Sequence, residues 1–156
     1  MNVVANHAAV PEDTLLPRDT RRALPIALLR AREAVMARFR PVLSARDVTE
    51  QQWRVIRVLA EDSPLDASEV ANRACVLAPS LTRIIKALED RKLITRERDP
   101  SDARRISLSI APAGLALIRQ VTPETCAIYA DIEARYGREH MERLLDMLCE
   151  LAELKE

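Results

Sequence analysis

A mainly α fold with one small two-stranded β element is predicted by three observations. Only two of the 156 residues are glycine and 3% are aromatic, so little material exists for hairpins or broad sheet faces. Ala, Leu, Arg and Glu, which favour helices, dominate instead. Apolar residues recur at helical spacing along most of the chain, and the period changes to two only near 106–110. With 48% apolar residues the chain is long enough to bury one core.

Residues 1–19, interrupted by Pro11 and Pro17, read as an irregular arm. They lack the basic start and continuous apolar run of a secretory signal, and no later stretch reaches membrane-spanning length, so a cytoplasmic protein is expected. Leu24, Leu28, Ala31, Val35, Phe39 and Val42 then mark a long first helix. Pro25 falls in its first turn and Pro41 near its end. Thr49 with Gln52 forms a capping-box pattern ahead of Trp53, Ile56, Val58 and Leu59, which predicts a second helix closed by Ser63 and Pro64. Asp66 and Glu69 repeat that signal before a short third helix.

In the segment APSLTRIIKALEDRK, 78–92, Pro79 sits where its missing donor costs nothing. Leu81, Ile84, Ile85 and Leu88 form one apolar face, and Ser80, Thr82, Arg83 and Lys86 lie opposite. After Leu93 and Ile94, the alternation of Ile106, Leu108 and Ile110 with Ser107 and Ser109 predicts a strand with one buried side. Between the two strands lies RERDPSDARR, 96–105. From Ala113 a helix resumes through Ile132, with a kink expected at Pro123. A last helix follows Gly137, with Met141, Leu144, Leu145, Leu148 and Ala152 on one stripe.

Three helices, a strand, a charged loop and a returning strand describe a winged helix-turn-helix whose recognition helix is the Pro79–Lys92 segment. A loop protruding from a ribbon has no core to bury, so it tolerates dense charge. Its arginines can reach phosphates or a narrow minor groove. Asp102 is expected to restrain Arg104 through a charge-assisted hydrogen bond. The net charge of zero hides an asymmetry: 73–105 carries nine basic against five acidic residues, while 124–156 carries four against nine. A basic middle and an acidic tail suit a protein that meets an anionic polymer with one region only.

Over roughly 24–152 the chain resembles a MarR-family transcriptional regulator. The resemblance rests on TEQQWRVIRVLAE, on SLTRIIKALEDRKLITRERD and on DARRISLSI leading to PAGLAL. Within that family, IALLRAREAVMARFRP followed by TEQQWRVIRVL is similar to the branch of homoprotocatechuate degradative operon repressors, which respond to small aromatic acids. One departure stands out: Lys92 occupies a position where many members carry Gly before the first wing strand. The resemblance implies a homodimer with interlaced N- and C-terminal helices, and two recognition helices spaced to read an inverted repeat in double-stranded DNA. The first and last helices also carry more apolar surface than one winged module can cover. The implied organisation is an arm at 1–19, a first dimerisation helix at 20–48, a DNA-binding module at 49–112 and C-terminal dimerisation helices at 113–156.

The candidate DNA contacts are Ser80, Thr82, Arg83, Lys86, Arg96, Arg98, Asp102, Arg104 and Arg105, of which Arg96, Arg98 and Arg105 could equally cover apolar surface with their stems. A small aromatic acid needs an apolar slot with a cation for its carboxylate, and the candidates are Arg32, Arg40, Phe39 and Trp53. An ion pair competes with that role at Arg32, and ordinary core packing competes at Trp53. Cys75, Cys126 and Cys149 are odd in number and unpaired in spacing, so reduced thiols are expected, with Cys75 a buried inert thiol. A redox-sensing regulator acting through a cysteine and a winged-helix protein-interaction module are the competing readings. His7 and His140 lack metal-ligand spacing, so no metal and no cofactor are called for. No phosphate loop or nucleophile elbow points to an enzyme.

Overall fold

The structure, a computed structural model, describes residues 19–98, 101, 102 and 105–154. Residues 1–18 of the N-terminal arm and Arg104 therefore lie outside the described residues. The chain divides into two compact units, 1–37 and 38–156.

In the first unit a 3-10 turn at Thr20–Arg22 is capped by Asp19, whose carboxylate accepts the Arg21 amide at 2.9 Å. Hydrogen bonds from the Arg21 side chain and amide hold that carboxyl below its ordinary range. Helix α1, Leu24–Ser44, starts here. Leu24, Ile26, Leu28, Leu29 and Val35 are all exposed along it.

In the second unit the end of α1 buries Phe39, Val42 and Leu43. Helix α2, Glu50–Glu61, opens with the anticipated capping box: Thr49 Oγ1 accepts the Gln52 amide at 3.2 Å and Gln52 Oε1 accepts the Thr49 amide at 3.0 Å. A two-residue strand β1, Leu65–Asp66, precedes α3, Ala67–Arg73, which Asp66 caps through the Glu69 amide. Then come α4, Ala78–Asp90; β2, Ile94–Arg98; β3, Ile106–Ile110; α5, Pro112–Tyr136; and α6, Arg138–Ala152. Helix α5 runs through Pro123 as one element.

The sheet has three strands in the order β1-β3-β2, all antiparallel, one more than the sequence led us to expect. Leu65 pairs with Leu108 and Asp66 with Ser107, which ties the ribbon to the segment between α2 and α3. Ser63 strengthens that tie. Its hydroxyl donates to the Leu59 carbonyl at the end of α2 and accepts the Ile110 amide at 3.2 Å. The core gathers Val55, Ile56, Leu59, Val70, Leu81, Ile84, Ile85, Leu88, Leu108, Leu117 and Val121. Each contributes about 1.5–3 kcal/mol relative to exposure.

Three helices end by the same device, and it explains how so few glycines suffice. Asp47, Cys75 and Lys92 adopt φ of 53°, 49° and 57°. Each donates its amide three residues back, to Ser44, Asn72 and Glu89, while the next amide reaches five residues back, from Val48 to Leu43, Val76 to Ala71 and Leu93 to Leu88. This is the Schellman closure, and the apolar residue that follows it is buried in all three cases. The turn before the wing is therefore as tight with Lys92 as with glycine, at the cost of left-handed strain. The same closure leaves Cys75 exposed, which corrects the expectation of a buried thiol; Cys126 and Cys149 are exposed as well.

Gly114 answers a different need. A Cβ there would stand 2.3 Å from the Leu93 carbonyl oxygen and 2.5 Å from Ile110 Cδ1, so the start of α5 sits directly on the root of the wing.

Lys92→Gly should raise stability by about 0.5–1 kcal/mol in urea titrations, because relief of left-handed strain exceeds the added unfolded-state entropy. Gly114→Ala should lower it by about 2 kcal/mol, although alanine is the better helix former, because the methyl collides with backbone.

Candidate nucleic-acid interface

Helix α4 is oriented by its own apolar stripe. Leu81, Ile84, Ile85 and Leu88 are buried, which turns Thr82, Arg83 and Lys86 outward and leaves Ser80 half-buried at the edge of that face. The outward face presents one hydroxyl and two cations over little more than one turn, a set able to donate to base edges or phosphates. The helix begins after a side chain that makes no cap, with Leu77 at the N-cap position and Pro79 in the first turn.

The wing extends from the end of this helix. Across the ribbon Arg96 lies opposite Leu108 and Arg98 opposite Ile106, so both share a sheet face with apolar residues. Arg96 also approaches Glu89 of α4 at 3.8 Å. Both arginines are exposed, a position from which the stem can lie along apolar surface and the charged end can reach solvent or a phosphate. At the loop, Asp102 accepts the Arg105 amide through its carbonyl at 2.9 Å, and Ser101, Asp102 and Arg105 are exposed. The expected pairing of Asp102 with Arg104 falls outside the described residues.

Two arginines not singled out from the sequence as site residues brace this module. Arg91, just beyond α4, donates to the carbonyls of Arg46 at 3.0 Å and Asp47 at 2.6 Å, capping the end of α1. Arg46 donates to the Val42 carbonyl at 2.9 Å, to the Gln120 carbonyl at 3.3 Å and to the Glu124 carboxylate, joining α1 to α5. Farther along α5, Asp131 accepts from Arg135 and from Arg38, and those two bonds hold its carboxyl below the usual carboxylate range.

The residues proposed for a small acid lie in both units. Arg32, in the first, is exposed and pairs with Glu33 at 2.8 Å. In the second, Phe39 is buried and meets Tyr129 with ring centroids 5.0 Å apart, Arg40 pairs with Glu50, and Trp53 is half-buried against the core. Beside Trp53, Arg54 has a buried Nε that no hydrogen bond satisfies, an unmet donor that an anion or water would relieve. One helical turn beyond Trp53, half-exposed Arg57 holds Glu61 only loosely, at 3.5 Å. Neither stood out in the sequence, because an arginine beside an aromatic on a helix has no distinctive spacing. Among the described residues no cluster of His, Cys, Asp and Glu is arranged to hold a metal, and no helix is long and apolar enough to cross a membrane.

Comparison with known proteins agrees with this geometry. The sequence profile of the MarR family matches residues 48–106, from the start of α2 to the first residue of β3. The chain is 42% identical over 142 residues to the HTH-type transcriptional regulator FarR of Neisseria gonorrhoeae, covering 90% of this chain and 97% of that one. It is 40% identical to the homoprotocatechuate degradative operon repressor of Escherichia coli, covering 85% and 89%. Among solved structures, NadR in complex with 4-hydroxyphenylacetate superposes with a TM-score of 0.78 at 40% identity, covering 90% of this chain and all of that one. On its winged helix-turn-helix and these likenesses, the chain belongs to the MarR family of transcriptional regulators.

Proposed function

We propose that this protein is a dimeric repressor that binds an inverted-repeat operator in double-stranded DNA and releases it when a small aromatic carboxylic acid binds. The observation that carries the reading is the outward face of α4, where Thr82, Arg83 and Lys86 stand free of the core beside a cationic wing. In a helix-turn-helix this helix enters the major groove, and its exposed donors meet base edges and phosphates. Arg83 and Lys86 supply charge, Ser80 and Thr82 hydroxyls, and Arg96, Arg98, Arg104 and Arg105 backbone contacts from the wing, with Asp102 shaping its loop.

A second copy of the chain is favoured by α6, which has no buried residue in the single chain yet exposes Leu144, Leu145 and Met147. A helix of fifteen residues gains its stability from packing, so this face calls for a partner. Leu24, Leu28, Leu29 and Val35 of α1 offer a second apolar surface for the same purpose. The organisation proposed is a dimerisation helix at 20–48, a DNA-binding module at 49–112 and dimerisation helices at 113–156. The protein works in the cytoplasm as a regulator, not an enzyme.

The effector reading draws on the relatives: one is a repressor of an aromatic-acid catabolic operon, and another was solved with 4-hydroxyphenylacetate. The candidates for a carboxylate are Arg32 of the first unit, which pairs with Glu33, and in the second unit Arg40, which pairs with Glu50, joined by Arg54 and Arg57 beside Trp53; the candidate walls for a ring are Trp53 and Phe39. The acid acts by binding more tightly to a dimer whose recognition helices are wrongly spaced, which lowers operator affinity by that preference alone.

Two measurements test this. Anisotropy titration of the intergenic DNA beside the gene should show steep salt dependence, and Arg83→Ala or Lys86→Ala should each lower the slope of log K against log salt by about 0.9 for every phosphate that the side chain neutralises. An unchanged slope removes that residue from the backbone contacts. Titration of the complex with a panel of hydroxyphenylacetates, hydroxycinnamates and nicotinates should release the DNA with one class at micromolar to millimolar levels. Release by none of them, with release by peroxide that disappears when all three cysteines are replaced, would favour a redox sensor.

A further inference from the structure

We propose that Leu77 is a base-reading residue whose side chain packs on the methyl group of one thymine in each half of the operator. The inference rests on the DNA-reading role given to α4 above. Leu77 is 78% exposed, more than any other large hydrophobic side chain among the described residues, and its backbone is held on both sides.

Nothing about local stability accounts for a leucine here. It occupies the N-cap of α4, where Ser, Thr, Asp or Asn would satisfy an amide of the first turn, and it makes no cap bond. The two preceding helices are capped, α2 by Thr49 and α3 by Asp66, whereas α5 opens as α4 does, after an apolar N-cap and a proline, but its Ala111 is buried where Leu77 is exposed. The leucine thus forgoes a stabilising cap and leaves apolar surface in water.

Its placement is rigid. Cys75 and Val76 close α3, and Val76 is buried at 6%, which pins the chain one residue before Leu77. On the other side the Leu77 carbonyl accepts the amides of Ser80 at 2.9 Å and Leu81 at 3.0 Å. The side chain is therefore carried at the leading end of the recognition helix, followed by the exposed Ala78 and Pro79, so no polar side chain occurs before Ser80. That end of a recognition helix meets base edges first.

In the major groove every base edge except one is a pattern of donors and acceptors. The exception is the thymine C5-methyl, the apolar feature that an aliphatic side chain can cover. Leu77 accordingly contributes a contact different in kind from Thr82, Arg83 and Lys86. It discriminates thymine from cytosine and leaves the salt dependence of binding untouched.

The test replaces each operator thymine in turn by deoxyuridine, which deletes the methyl and keeps pairing and hydrogen-bonding groups. Wild-type protein should bind about fourfold more weakly when one particular thymine of a half-site is replaced. Leu77→Ala should bind the thymine and uracil operators equally. Leu77→Ser, neutral and able to cap, should raise the melting temperature while losing the same methyl discrimination, with an unchanged salt slope. The proposal is overturned if no thymine shows the effect in wild-type protein, or if Leu77→Ala and Leu77→Ser remain as sensitive to the methyl as wild type. Failure to bind the unmodified operator at any salt concentration would instead overturn the DNA-reading role of α4, and this contact with it.

Discussion

The buried stripe of Leu81, Ile84, Ile85 and Leu88 is the constraint on which the rest of the structure depends. A helix has one rotational freedom about its axis, and removing four large side chains from water fixes it at several kcal/mol. Once that angle is set, Thr82, Arg83 and Lys86 have nowhere to go but outward. The polar face of α4 is thus defined by what its apolar face buries, and a rotation of one residue would carry cations into the core and leucines into solvent.

The surrounding elements keep that helix in place from both ends. Before it, the left-handed Cys75 and buried Val76 stop α3; after it, Lys92 and Leu93 repeat the manoeuvre and launch β2. Arg91 then grips the carbonyls at the end of α1, and Gly114 lets α5 sit against Leu93. Helix, wing and the start of α5 are therefore braced against one another through backbone contacts.

Local signals were the legible ones. Thr49 with Gln52 and Asp66 with Glu69 announced helix starts within four residues of sequence, and each forms the cap bond its pattern implies. The period of 78–90 and the alternation of 106–110 likewise mapped onto α4 and β3. What escaped depends on distant partners. Strand β1 is two residues long and exists because Leu65 meets Leu108, more than forty positions away. The exposure of Cys75 follows from a positive φ that no rule of side-chain preference assigns to cysteine. Arg54 and Arg91 take their roles from carbonyls or burial contributed by other elements, and arginines on a helix look alike in sequence. The departure at Lys92 proved conformationally silent, because a lysine accepts there the backbone shape that glycine adopts at less cost.

The most direct measurement is amide hydrogen exchange on the protein alone and saturated with operator duplex. If α4 and the wing meet the DNA, slowed exchange is concentrated at 77–86 and 95–98, with 138–152 unchanged. Slowing confined to 138–152, with 77–86 as fast as in the free protein, would contradict that placement.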